Sequence, residues 1–130
     1  MAKFKTGVKM KSYFVDKLEQ HAEKYPERTA VTLDFGEAAI TYSELWIRSG
    51  RIYDALKKHG IGREDIVMVL LPRHPMMIVA LLGVLRAGAA VTLVEDTCPE
   101  ERLMYMKADC GVRFVIDRDF YEKAQQTPPL

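Results

Sequence analysis

Cysteine is scarce: Cys98 and Cys110 are the two thiols in 130 residues. They have neither C-x-x-C spacing nor companion ligands. With seven methionines and no secretory leader, they point to a reducing, cytoplasmic setting and away from a disulfide framework. Charge of one sign is also missing. Nineteen Lys and Arg face eighteen Asp and Glu, for a net charge of +1. That balance gives no broad electrostatic case for nucleic acid. The single local asymmetry is Lys3, Lys5, Lys9 and Lys11 ahead of the first acid, Asp16, too sparse for a basic arm and read as a solvated, partly disordered leader over residues 1–11. No long apolar run exists. The longest, Met76 to Leu85, rises only about 15 Å as a helix, half a bilayer core, and reads as a buried helix with no membrane role.

What is present is globular: 48% hydrophobic and 28% charged residues, enough for one domain with a real core. Phe14, Leu18, Ala22 and Tyr25 recur on one helical stripe, so a helix is predicted from Ser12 to Tyr25, ended by Pro26. Thr29–Leu33, a turn over Asp34–Glu37 and Ala39–Ile40 read as a hairpin. Thr41 and Glu44 form a capping box at the head of a helix running to about His59. Leu45, Ile52 and Leu56 mark its core face, Trp46 and Tyr53 lie alongside, and Gly60 stops it.

From Ile66 the pattern changes. Ile66–Leu71 is apolar at every position, as in a strand covered on both faces. Pro75 opens an apolar helix, Met76–Ala87, ended by Gly88. A second strand is predicted at Ala90–Val94, a helix over Pro99–Asp109 and a third strand at Val112–Ile116. Thr97 and Glu100 repeat the capping-box pattern at the head of that helix. A short helical turn follows at Asp119–Ala124, then a tail, residues 125–130. Strand, helix, strand, helix, strand demands parallel pairing with right-handed crossovers. The fold class is therefore α/β: a three-layer-like parallel sheet with crossover helices, plus an N-terminal helix and a short hairpin.

Chemistry is sparse. His21, His59 and His74 are too far apart in sequence for a metal-ligand pair at helical spacing and read as surface or cap histidines. Cys98 lies near a helix start, where a thiol ionises more easily, but reads as a small packed residue. Ser12, Ser43 and Ser49 are the only serines, none in a G-x-S-x-G turn. Gly60-Ile61-Gly62 follows a helix instead of a strand and has Asp65 where a dinucleotide loop needs glycine. No glycine precedes a lysine, which excludes a Walker loop. Asp16, Glu19 and Glu23 form a solvated helix side. No catalytic, cofactor-binding or metal-ligating residue is assigned.

Several segments do match one family pattern in order and spacing. Ile40-Thr41-Tyr42-Ser43-Glu44-Leu45 resembles the first core motif of adenylate-forming enzymes, L-T/S-Y-x-E-L. Leu85-Arg86-Ala87-Gly88-Ala89-Ala90 resembles the start of the second, L-K-A-G-x-A, and Pro99-Glu100-Glu101-Arg102-Leu103 its end, P-x-E-R-L. Arg73 and Met77–Leu82 resemble the helix before the second motif, and Asp109-Cys110-Gly111-Val112 the turn into the next strand. The likeness covers residues 12–117 and is closest to amino-acid adenylation domains of nonribosomal peptide synthetases. Ala90–Pro99 departs from the usual A-Y-V-P-L-D-P-x-Y-P, and His74 stands where Ser or Asn usually caps.

The resemblance implies residues 12–124 as part of the large N-terminal lobe of an AMP-forming ligase. In the family, a carboxylate and ATP give an acyl-adenylate and pyrophosphate, and the acyl group passes to a phosphopantetheine or coenzyme A thiol. ATP and Mg are implied for the whole enzyme and no cofactor for this segment, because the phosphate loop, the nucleoside-binding residues and the catalytic Lys belong to later motifs. The implied partners are the remainder of the domain and a carrier domain. Self-association through the sheet or the Met76–Leu85 helix is expected of the segment alone. An acyl-coenzyme A synthetase segment and a stand-alone, non-catalytic interaction module are the alternative readings.

Overall fold

A computed structural model describes residues 15–32 and 39–126. The basic leader, the start of the first helix with Ser12 and Phe14, the predicted turn at Asp34–Glu37 and the last four residues lie outside the described residues. Helix α1 spans 15–24, with Leu18 buried. Strands β1 (Thr29–Thr32) and β2 (Ala39–Thr41) pair antiparallel with Val31 opposite Ile40, as the hairpin reading requires.

Helix α2 (Tyr42–Lys58) begins where the capping box places it. The Glu44 amide donates to Thr41 Oγ1 at 3.1 Å, and the Thr41 amide donates to Glu44 Oε1 at 3.0 Å. Those bonds satisfy two amides that a helix start would otherwise leave unpaired. Leu45, Ile52 and Leu56 are buried as the spacing predicts. Gly60 ends the helix at φ +73°, a conformation costly for any residue with a Cβ.

The sheet consists of β3 (Ile66–Leu71), β4 (Ala90–Glu95) and β5 (Phe114–Ile116), in the order β4-β3-β5 and parallel throughout. Helix α3 (Pro75–Arg86) crosses from β3 to β4, and α4 (Glu100–Cys110) from β4 to β5. The sheet grows first to one side of β3 and then to the other, so right-handed crossovers put α3 and α4 on opposite faces. Val67, Val69, Leu71 and Ile116 pack with α2 and α3 in the main core. Met68 and Val94 are buried on the second face, which α4 covers lightly. No residue of α4 is buried, although Leu103, Met106 and Cys110 form a half-buried stripe. Helix α5 (Arg118–Gln126) returns to α2, where the Gln125 amide nitrogen donates to the Arg48 carbonyl at 3.0 Å.

Three local expectations need correction. Thr97 does not cap α4: Pro99 occupies the N-cap position at φ −59°, ψ 144°, with no side-chain cap bond. Cys98 precedes a proline and is thereby kept from helical geometry, so the helix starts after Pro99, beyond the reach of Thr97. The third strand begins at Phe114 instead of Val112, because the Val112 amide turns back to the Lys107 carbonyl as part of the helix stop. The last helix is nine residues long, not a short turn. Tyr121 and Ala124 are buried, so tertiary packing extends it.

The capping box carries a pH dependence. Its hydrogen bonds from Thr41, the backbone one foremost, hold the Glu44 carboxyl below its ordinary value. A depressed folded value means the contribution is present above the unfolded value and lost as pH falls through the folded one. Glu44→Ala is therefore expected to be less stable than wild type at neutral pH. The difference should narrow as pH falls below the carboxylate range, as measured by urea unfolding across pH.

Candidate functional site

In an open parallel sheet, ligands favour the carboxyl ends of the strands where the strand order reverses. In the order β4-β3-β5 that place lies between β3 and β5. Pro72-Arg73-His74 leads to α3, Asp96-Thr97-Cys98-Pro99 leads to α4, and Asp117 follows β5 nearby. Arg73 Nε meets Glu95 Oε1 at 3.4 Å, and Arg118 Nε donates to Asp96 Oδ2 at 2.7 Å. The two cations at this edge are matched by two carboxylates.

Two of the three helix starts at this edge are occupied by side-chain caps. Pro75 has no amide hydrogen, and His74 Nδ1 accepts from the Met76 amide at 3.1 Å. The Met77 amide donates to the His74 carbonyl. His74 thus does the capping work that a Ser or Asn would do. Pro99 and the acids Glu100 and Glu101 open α4. Asp117 Oδ1 accepts from the Phe120 amide at 2.9 Å at the head of α5. A phosphate cradle needs a strand feeding a glycine turn with free amides. None of these three starts supplies one. Among the described residues no group of three or more His, Cys, Asp or Glu could hold a metal ion. The donor set does not fit ATP or Mg.

The other sequence candidates fall apart spatially. His21 stacks on Tyr42 at 5.2 Å, with Nδ1 against the Lys17 carbonyl. His59 sits at the end of α2 against Phe114 and Phe120, at 5.0 and 5.8 Å. Cys98 and Cys110 are free, half-buried thiols. No helix among the described residues is long and apolar enough to cross a membrane.

The strongest polar constellation was not anticipated from sequence. Arg86 lays its guanidinium over Trp46, 3.7 Å from the ring centre. It donates to the Trp46 carbonyl at 2.8 Å and to Ser49 Oγ at 3.0 Å. Ser49 is fully buried and donates to the same carbonyl. Burial pushes the Arg86 pKa down, partly offset by Asp54 and Glu19. This group ties α3 to α2. The only available signal was Arg86 in the L-R-A-G segment.

The profile of a family described as AMP-binding enzyme matches residues 18–129. The chain belongs to that family. Tyrocidine synthase 2 of Brevibacillus parabrevis is 38% identical over 109 residues, which is 84% of this chain and 3% of the relative. Gramicidin S synthase 2 of Brevibacillus brevis is 36% identical over 98 residues, 75% of this chain and 2% of the relative. The chain thus spans only a few hundredths of the curated relatives it matches. The N-terminal subdomain of Klebsiella oxytoca NpsA with anthranilyl-AMSN superposes at a TM-score of 0.76 and 22% identity, over 89% of this chain and 32% of that one. The O-succinylbenzoate coenzyme A synthetase MenE of Bacillus subtilis, with AMP, superposes at 0.67 and 23% identity, over 82% of this chain and 29% of that one. At these identities the structures show the fold alone: an α/β segment with a parallel sheet, matching the expected class.

Arg86→Met keeps length and removes the cation–π contact and both hydrogen bonds. The expected loss is about 1–3 kcal/mol in urea unfolding, with the secondary structure retained by circular dichroism.

Proposed function

We propose that residues 1–130 are the opening segment of an amino-acid-activating domain. In the whole protein, that domain would join an amino-acid carboxylate to ATP, with Mg, giving an aminoacyl-adenylate and pyrophosphate. The aminoacyl group would then pass to the phosphopantetheine thiol of a carrier domain. The observation that carries this reading is the ordered set of motif segments, Ile40–Leu45, Leu85–Ala90 and Pro99–Leu103, inside a family match that runs from residue 18 to 129. The amino-acid class rests on relatives at 36–38% identity that are named as peptide synthases. An acyl-coenzyme A synthetase shares the fold through MenE at 23% identity and is the second reading.

In this proposal the segment is scaffold. Its capping box, its Arg86 clamp and the capped starts of α3 and α5 place the lobe's sheet, and residues outside 1–130 handle the phosphates. Separated from the rest of the domain, the segment pairs with a second copy of itself. A cytoplasmic setting accords with the free thiols of Cys98 and Cys110.

Two measurements test it. Purified residues 1–130 should give only background ATP–pyrophosphate exchange with any amino acid, since most of the work in such sites is electrostatic stabilisation by groups missing here. Exchange above background would overturn the scaffold reading. Residues 12–117 grafted into the matching stretch of a peptide-synthetase adenylation domain should preserve that domain's exchange to within about tenfold. A folded but inactive chimera would overturn the assignment to the opening segment.

A further inference from the structure

Among the described residues, the outer edge of β4 is one of the two open edges of the sheet. Strand order places β4 at one end of β4-β3-β5, and the hydrogen-bond phase shows which groups it leaves outward. The Ala90 amide donates to the Asp65 carbonyl at 2.9 Å, and the Asp96 amide to the Leu71 carbonyl at 3.1 Å. Even-numbered residues of β4 therefore face β3. By alternation, Val91, Leu93 and Glu95 turn their amides and carbonyls away from it. The Glu95 carbonyl is already taken, accepting from the Cys98 amide at 3.1 Å. Among the described residues, the groups left to template another strand are those of Val91 and Leu93 and the Glu95 amide. Leu93 is also 45% exposed, an apolar side chain on an unpaired edge.

We infer that β4 pairs antiparallel with β4 of a second copy of this chain, about a two-fold axis through Thr92. This deepens, and rests on, the partner reading above. A two-fold axis normal to the sheet keeps each face on its own side. Residues directly opposite must then share a face, which restricts the axis to a residue and not to the gap between two.

Centring on Thr92 sets Val91 against the partner's Leu93 and Ala90 against the partner's Val94. The outward groups of Val91 and Leu93 are all used, in four ladder bonds. Every apolar residue meets an apolar residue, and Glu95, held by Arg73 and by its own turn, stays outside. Centring on Leu93 would set Glu95 against the partner's Val91 and ask its engaged carbonyl for a second bond. The Thr92 register avoids both costs and puts no like charges opposite each other. The Met76–Leu85 helix offers no comparable surface, because none of its residues is exposed.

The test uses residues 1–130 with Cys98→Ser and Cys110→Ser. Thr92 sits at a non-hydrogen-bonded position on the axis, where opposite Cα atoms lie about 4.5 Å apart, within disulfide reach. Adding Thr92→Cys should give a covalent dimer on mild oxidation, and adding Leu93→Cys instead should not. Sedimentation equilibrium on the wild-type chain should show a dimer that Leu93→Lys weakens by at least about tenfold, with circular dichroism unchanged. A dimer that ignores Leu93→Lys and fails to cross-link through Thr92→Cys would overturn this edge while leaving self-association standing. Cross-linking through Leu93→Cys instead would overturn the register. A strictly monomeric chain would overturn both the edge and the partner reading.

Discussion

The contact on which the rest of the fold depends is the crossing of α2 over α3 at Gly83. A Cβ at that position would lie 2.5 Å from both Cβ and Cγ2 of Ile52 and 3.1 Å from the Ser49 carbonyl. Glycine therefore lets the two helices approach more closely than any side chain would permit. Ile52 and Val84 are fully buried around this crossing, and one turn along α3 from Gly83 the Arg86 guanidinium reaches the Trp46 carbonyl and ring. The close approach and the clamp need each other. Without it Arg86 could not reach the α2 backbone, and without Arg86 the buried Ser49 hydroxyl would lose a partner.

That packing fixes one face of the sheet firmly and leaves the other lightly dressed. The α2–α3 layer covers Val67, Val69 and Leu71 completely. Helix α4 has a shallow inward stripe and presents Met104 and Tyr105, 64% and 71% exposed, on its outer side. The asymmetry suits a segment that in its relatives is continuous with a much larger lobe. It also explains why the carboxyl edge of the sheet, which the topology favours for ligand binding, carries none of the usual equipment. Its arginines are spent on Glu95 and Asp96, the starts of α3 and α5 on His74 and Asp117, and α4 opens at Pro99 with no glycine turn before it.

Much of this was legible in the sequence because the relevant physics is local. The Thr41–Glu44 box, the Gly60 stop and the unbroken apolar run of β3 each depend on a handful of neighbouring residues, and each sits where the pattern places it. The failures share a cause as well. The Thr97–Glu100 spacing resembles a capping box, but the proline between them takes the N-cap position and controls where the helix can start. The length of α5 is set by Tyr121 and Ala124 docking on α2, a contact between parts of the chain some seventy residues apart. The Arg86–Trp46 clamp spans forty positions and leaves no periodic trace. As for the site, motif order revealed the family, while composition and spacing revealed only missing chemistry.

The central claim is that the segment is a scaffold locked at one close helix crossing. The most direct measurement is the unfolding free energy of Gly83→Ala. In a helix free of tertiary constraint, alanine would stabilise by up to about 1 kcal/mol through propensity. Here the added methyl collides with Ile52, and overpacking predicts a net loss of about 1–3 kcal/mol in urea unfolding. A Gly83→Ala chain as stable as wild type, or more so, would contradict the account.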